Sequence, residues 1–306
     1  MQTPVKTNSS KAWLLAIRPK TLSGALVPVL VPTALAIADG KAKLLPAILC
    51  ATFALLMQIA ANLINDYWDY RSGTDGADRL GPERAMAQGW ITQKAMLWGI
   101  ALNLLLAVGV GIALLLSTLQ AFEGSPEKLV YTLVGIGFAC IVGAFIYSLL
   151  LSYIGLGDIL VWLFFGFVPV LGTYYVQAYT ITPAAWIAAA ACALVIDTLL
   201  VLNNYRDRDT DRKSGKHTLV SVGGERFGRY FYFIQGFAGC ACGYVLAYMG
   251  YPVARLVVFY LYFHLTTWHL MSKIREGRKL NHVLGLTARN ILIFGLLLSV
   301  GMLLEN

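Results

Sequence analysis

Residues 44–64 read LLPAILCATFALLMQIAANLI, and the residues that follow, 65–75, read NDYWDYRSGTD. The first stretch carries no charged side chain and is long enough to cross a hydrocarbon core of about 30 Å as an α-helix. The second places Asp66, Asp69 and Asp75 directly beyond its end. The same pair recurs downstream. Residues 183–202 read PAAWIAAAACALVIDTLLVL, and 203–211 read NNYRDRDTD. Apolar helices that end in clustered aspartates are the pattern around which the rest of the chain is read.

The whole composition agrees with membrane helices. Of 306 residues, 58% are hydrophobic and only 13% are charged, which excludes a soluble enzyme, a disordered chain and a secreted disulfide scaffold. Cys50, Cys140, Cys192, Cys240 and Cys242 lie inside apolar runs without a CxxC pair, so they read as small core residues. Apolar runs predict nine spans, at 21–38, 44–64, 95–117, 129–150, 156–178, 183–202, 228–248, 251–271 and 288–304. The expected fold is an all-α membrane protein with nine transmembrane helices. Residues 1–306 form one polytopic domain, with two Asp-rich regions at 65–94 and 203–227.

Charge orients these spans. Of the 24 Lys and Arg, all but Lys41, Lys43, Lys128 and Arg255 fall on the side that holds the N-terminus. The positive-inside rule makes that side cytoplasmic. The net charge of +8 therefore reads as loops facing anionic lipid rather than as a nucleic-acid footprint. Without a transit-type leader, the expected location is a prokaryotic cytoplasmic membrane.

Insertion explains basic residues on this side but not the aspartates. Asn65-x3-Asp69 and Asn203-x3-Asp207-x3-Asp211 share a spacing that sets amide and carboxylate on one helix face. Four spans separate the clusters, so both emerge on the same side and face one cavity. Solvated loops account for one such cluster as well as a site does. They do not account for two with matching spacing. Hard oxygen ligands without His or Cys suit Mg2+ or Ca2+. Interleaved Arg and Lys supply donors to phosphate. Together these point to a diphosphate held at the lipid boundary.

Other polar residues extend the candidate site. Asp197 lies within a span, where a carboxylate is costly and expected to face the cavity, at i and i+7 with Asn204. Asp158 reads equally as a residue of the cavity mouth or as a carboxylate at a helix N-terminus. Tyr147 and Tyr153 flank the cytoplasmic end of the fourth span, where tyrosines are common. No G-x-x-x-x-G-K-[ST] or G-x-S-x-G motif occurs, so ATP-driven transport and serine hydrolysis lack support.

These motifs resemble those of the UbiA superfamily of intramembrane aromatic prenyltransferases. The resemblance rests on Arg18-Pro19-Lys20-Thr21, Asn65 through Asp75, Gly155-Leu156-Gly157-Asp158 with Gly172 to Gln177, Asn203 through Leu219, and Thr287-Ala288-Arg289. It favours the branch that prenylates 1,4-dihydroxy-2-naphthoate. Three positions depart from the wider pattern. Gly73 stands where many members have a third Asp, with Asp75 two residues later; Asp158 stands for a Glu; and Ser148 and Leu149 replace a basic pair after Tyr147.

The resemblance implies nine helices around a central cavity open to lipid. It implies transfer of a polyprenyl group from polyprenyl diphosphate to 1,4-dihydroxy-2-naphthoate, with loss of diphosphate and CO2. Asn65, Asp66, Asp69, Asp75, Asn203, Asp207 and Asp211 would hold Mg2+, as two ions bridging the diphosphate. Asp69, Asp207, Asp211 and Tyr147 would be catalytic. Arg18, Lys20, Arg79, Arg84, Arg206 and Lys216 would contact the diphosphate, and Asn65, Asn203, Asn204, Tyr153, Asp158 and Asp197 would complete the substrate contacts. The alternatives are another aromatic acceptor, such as 4-hydroxybenzoate or homogentisate, and an ion-coupled transporter.

An odd number of crossings puts the two termini on opposite faces. Alkaline phosphatase fused at the C-terminus is expected to be active in a bacterial host, and the same reporter inserted within 79–92 is expected to be inactive. Equal activity at both sites would remove the nine-span reading.

Overall fold

The computed structural model describes residues 5–73, 79–146 and 155–304. Every regular element among them is helical. In chain order they are α1 (Ser10–Ile17), α2 (Leu22–Ala38), α3 (Leu44–Ser72), α4 (Gln93–Leu119), α5 (Pro126–Ile146), α6 (Gly157–Val161), α7 (Val168–Ala178), α8 (Pro183–Lys213), α9 (Leu219–Tyr248), α10 (Phe259–Ile274) and α11 (Leu280–Leu303). A π-helical segment, Trp162–Phe167, joins α6 to α7 into one crossing. Among the described residues, eight helical units are long and apolar enough to span a bilayer. The remaining crossing is a 3-10 segment, Pro252–Val258, continued by the 16 residues of α10.

Local chemistry sets the helix ends. Thr92, Thr182 and Thr218 each accept a backbone N–H three residues on, at the starts of α4, α8 and α9. Gly73 ends α3 with φ +70°, a conformation that costs glycine little. Helices α3 and α8 therefore continue as helices through both aspartate motifs. Gly224, at φ +80°, interrupts α9 near its start.

Helix α8 occupies the centre. Seven of the eleven residues from Pro183 to Ala193 are alanine, and Ala184, Ala185, Ala188, Ala189 and Ala191 are buried. In a bilayer no hydrophobic effect drives helices together, so close backbone approach and dispersion supply the packing. Glycines on neighbouring helices continue this logic: Gly239 meets Val195, and Gly166 of the π segment meets Ala193. Polar ties close the end of the bundle remote from the aspartate motifs. Asp39, at the C-terminus of α2, accepts hydrogen bonds from Tyr174 of α7 and from Tyr251 beside the 3-10 segment.

A second core cluster lies beneath residues 79–92. Ala12 and Ala16 of α1 pack with Leu63, Ile64, Met86, Ile91 and Met96. Asn8 receives Thr92 N–H at 3.1 Å and donates its own backbone N–H to Trp90 O at 2.8 Å. The segment before α1 thus pins the 79–92 connection over the end of α3.

A Cβ at position 166 would sit 2.7 Å from the Ala193 Cα and overlap its side chain. Gly166→Ala is expected to destabilise the bundle by about 1–3 kcal/mol. A thermal unfolding scan in detergent should show a lower Tm; an unchanged Tm would mean that this contact relaxes freely.

Candidate active site

One helical stripe on α3 and one on α8 build the site. On α3 the cavity is lined by Cys50, Phe53, Ala54, Met57, Gln58, Ala61, Asn62 and Asn65. These positions recur every three or four residues, and Asp69 lies one turn beyond. On α8 the lining residues are Ile196, Leu199, Leu200 and Asn203, with Asp207 and Asp211 at the next two turns. Apolar stripes that turn polar as they leave the bilayer give a cavity with an oily body and a charged rim.

The cavity has a volume of about 350 Å³. Val29, Cys50, Leu114, Leu133 and Val176 line its deep part, and Arg18, Asn62, Asn65 and Asn203 its polar end. The π segment contributes Phe164 and Phe165, whose successive side chains both reach the cavity. Arg18 is placed at the rim by a sharp corner: it adopts φ +54° between α1 and the 3-10 turn Pro19–Thr21. Lys20, on that turn, is exposed and does not line the cavity.

The aspartates are held by neighbouring basic residues. Arg84 Nη2 donates to Asp69 Oδ2 at 2.6 Å. Arg206 grips Asp207 with both Nε and Nη2. Lys216 Nζ lies 3.8 Å from Asp211 Oδ1, while the buried Asp211 Oδ2 accepts no hydrogen bond. Asp66 is turned toward the 79–92 connection and accepts Ala85 N–H at 3.1 Å and Met86 N–H at 3.5 Å. Arg79 folds onto its own segment, donating from Nε to Pro82 O.

Two buried carboxylates take positions that the sequence left open. Asp158 lines a small secondary pocket with Asn204, Lys216 and Thr218. Asp197 is fully buried but does not line the main cavity, against expectation. It accepts Trp162 Nε1–H at 3.0 Å and Gln235 Nε2–H at 2.6 Å. Residues i and i+7 share a face, as expected for Asp197 and Asn204, but that face of α8 lies between the α6–π segment and α9 rather than on the main cavity. Asp75, Tyr147 and Tyr153 lie outside the described residues.

Some site residues carried no readable signal. Asn62 donates to Ile17 O at 2.8 Å and to Thr21 Oγ1 at 3.0 Å, and accepts from Gln58. It ties α3 to the corner that carries Arg18. Its position three residues before Asn65 was the available clue. Asn281, at the start of α11, receives Arg206 Nη1–H at 2.8 Å, and no motif marked it.

Among the described residues, no three His, Cys, Asp or Glu side chains converge on a metal-sized site. The donor set nevertheless suits Mg2+, which needs only one or two carboxylates when phosphate and water complete its shell. The unpartnered Asp211 oxygen and the amides of Asn65 and Asn203 at the polar end are oxygen donors of the required kind.

A helical membrane bundle with an apolar cavity rimmed by two Asn-x3-Asp helix ends defines the class of intramembrane prenyltransferases. The profile of the UbiA prenyltransferase family matches residues 25–291, and the chain belongs to that family. It is 39% identical over 226 residues to 1,4-dihydroxy-2-naphthoate octaprenyltransferase of Escherichia coli (strain K12), covering 73% of this chain and 72% of that one. It is 30% identical to the protein of the same name in Haemophilus influenzae, over 96% of both chains. The fold matches the apo structure of a UbiA homolog from Aeropyrum pernix K1 with a TM-score of 0.67 at 14% identity, covering 92% of this chain and 97% of that one. A UbiA homolog from Archaeoglobus fulgidus bound to DMAPP and Mg2+ matches with a TM-score of 0.60 at 16% identity, covering 94% and 99%.

Asp66 supplies the acceptor for two backbone N–H groups of the 79–92 connection. Asp66→Ala leaves buried donors unmet, at a local cost of about 1–3 kcal/mol. Limited proteolysis should cut this segment roughly tenfold faster than in the parent protein. Unchanged cleavage would show that the connection is held elsewhere.

Proposed function

We propose that this protein transfers a polyprenyl group from polyprenyl diphosphate to 1,4-dihydroxy-2-naphthoate, releasing diphosphate and CO2 and giving demethylmenaquinol. The observation that carries the reading is the pairing of two Asn-x3-Asp helix ends over one apolar cavity. The relatives named for this reaction supply the acceptor. The basic loops support a carboxylate rim on the cytoplasmic side of the membrane.

Each part of the site has a task. The apolar body takes the prenyl chain, and the polar end takes the diphosphate. Arg18, Arg84, Arg206 and Lys216 offer donors to its oxygens, and such bonds strengthen as charge builds on the leaving group. Two Mg2+ ions, held by Asn65, Asp69, Asn203, Asp207 and Asp211, would supply further neutralisation of the diphosphate when bound. The C–O bond breaks with its electron pair going to the diphosphate. The ring carbon that bears the carboxylate then bonds to the allylic carbon, and the carboxylate leaves as CO2. Phe164 and Phe165, which line the cavity, stabilise the allylic cation and keep water away from it. Arg84 and Arg206 neutralise Asp69 and Asp207 in this structure, a role that bound metal would share.

The test is product formation by purified protein in detergent, given Mg2+, a polyprenyl diphosphate and 1,4-dihydroxy-2-naphthoate, with demethylmenaquinone detected by mass spectrometry. Asp69→Asn and Asp207→Asn are each expected to lower the rate by about 10²-fold or more, and EDTA to abolish it. Product from 4-hydroxybenzoate or homogentisate alone would reassign the acceptor. Metal flux without any diphosphate turnover would favour a transporter instead.

A further inference from the structure

The two aspartate-bearing helix ends are joined by a third element. Arg206 is almost completely buried, and its guanidinium is enclosed on three sides. Nε and Nη2 bind Asp207, Nη1 donates to Asn281 Oδ1 at 2.8 Å, and Gly81 lies beside Nη2. A Cβ at position 81 would lie 3.1 Å from Arg206 Nη2. Asn281 also reaches the other way, donating from Nδ2 to Leu80 O at 2.8 Å. Beside it, Arg278 Nη2 donates to Arg79 O at 3.3 Å. The same 79–92 connection holds the first motif, through Arg84 on Asp69 and through two N–H groups on Asp66.

We infer that Asn281 is a positioning residue for prenyl diphosphate binding, aiming Arg206 and so linking the second aspartate motif to the connection that holds the first. The inference rests on the proposed reaction. Asn281 suits the task because one planar amide offers an acceptor to the guanidinium and a donor to a backbone carbonyl. It stands outside both aspartate motifs and bears on the diphosphate through Arg206.

The experiment perturbs Arg206 from two sides. Asn281→Ala removes the acceptor for Nη1. Gly81→Val leaves Asn281 in place and crowds Nη2. Folding is checked by size-exclusion profile and Tm. Steady-state assays with Mg2+, polyprenyl diphosphate and 1,4-dihydroxy-2-naphthoate give KM for each substrate. Thermal stabilisation by inorganic diphosphate with Mg2+ gives a readout independent of turnover. Both variants are expected to raise KM for prenyl diphosphate by about tenfold, to weaken the diphosphate-induced Tm shift, and to leave KM for the naphthoate within about twofold. In a double-mutant cycle, Arg206→Ala and Arg206→Ala with Asn281→Ala should behave alike, since both remove one connected unit.

Additive losses in that cycle, or folded variants with unchanged diphosphate KM and Tm shift, would overturn the positioning role. Should Asn281→Ala fail to fold, Gly81→Val and Arg206→Ala carry the comparison. An unchanged diphosphate KM in Gly81→Val would then count against the role. Absence of product from the unmodified protein would instead count against the proposed reaction, which keeps the two failures apart.

Discussion

A carboxylate at the edge of a hydrocarbon layer needs a positive partner, and this requirement organises the mouth of the protein. Loss of solvation is costly for a charge, and a nearby guanidinium offsets it only when the geometry is held. Asp69 and Asp207 meet it with Arg84 and Arg206. Each arginine is held in place by residues outside the two motifs. Arg84 arrives on the connection after α3, and Arg206 is wedged between Gly81 and Asn281. Much of the architecture at this end of the bundle can be understood as the framework that keeps these two pairs in register.

That framework sits on a rigid base. The alanine-rich half of α8 lets its neighbours approach closely, and Asp39 fastens α2 to α7 and Tyr251 at the remote end. Polar ties at both ends, with small residues between, leave an apolar space where helices diverge. The cavity is therefore a product of packing that is tight around α8 and looser between α3, α5 and the π segment. Phe164 and Phe165 of the π segment both face it.

Much of this was legible in the sequence, for physical reasons. Long apolar runs leave little choice but membrane helices, and Asn-x3-Asp spacing reads directly as one face of a helix. The extension of α3 and α8 past the apolar runs followed from the same spacing. Asp197 was harder. Its periodicity correctly paired it with Asn204, yet a helix surrounded on all sides offers several buried faces, and only the packing of Gln235 and Trp162 shows which one Asp197 meets. Asn281 had no periodic companion, because its two bonds join segments some 75 and 201 residues away. The 3-10 start of the eighth crossing was also invisible, since hydropathy does not distinguish 3-10 from α geometry.

Helices α3 and α8 have 29 and 31 residues, lengths of about 43 and 46 Å at 1.5 Å per residue. A hydrocarbon core is about 30 Å thick. The excess makes the position of the carboxylate rim a matter of hydrophobic matching. In a bilayer of ordinary thickness the rim stands among lipid headgroups, so an amphiphile engages it without its charged head leaving that layer. A thicker bilayer would draw Asn65 and Asn203 toward the acyl chains and raise the energy of every ion pair above them. Lipid acyl length thus becomes a control on this chemistry that acts without touching a single side chain.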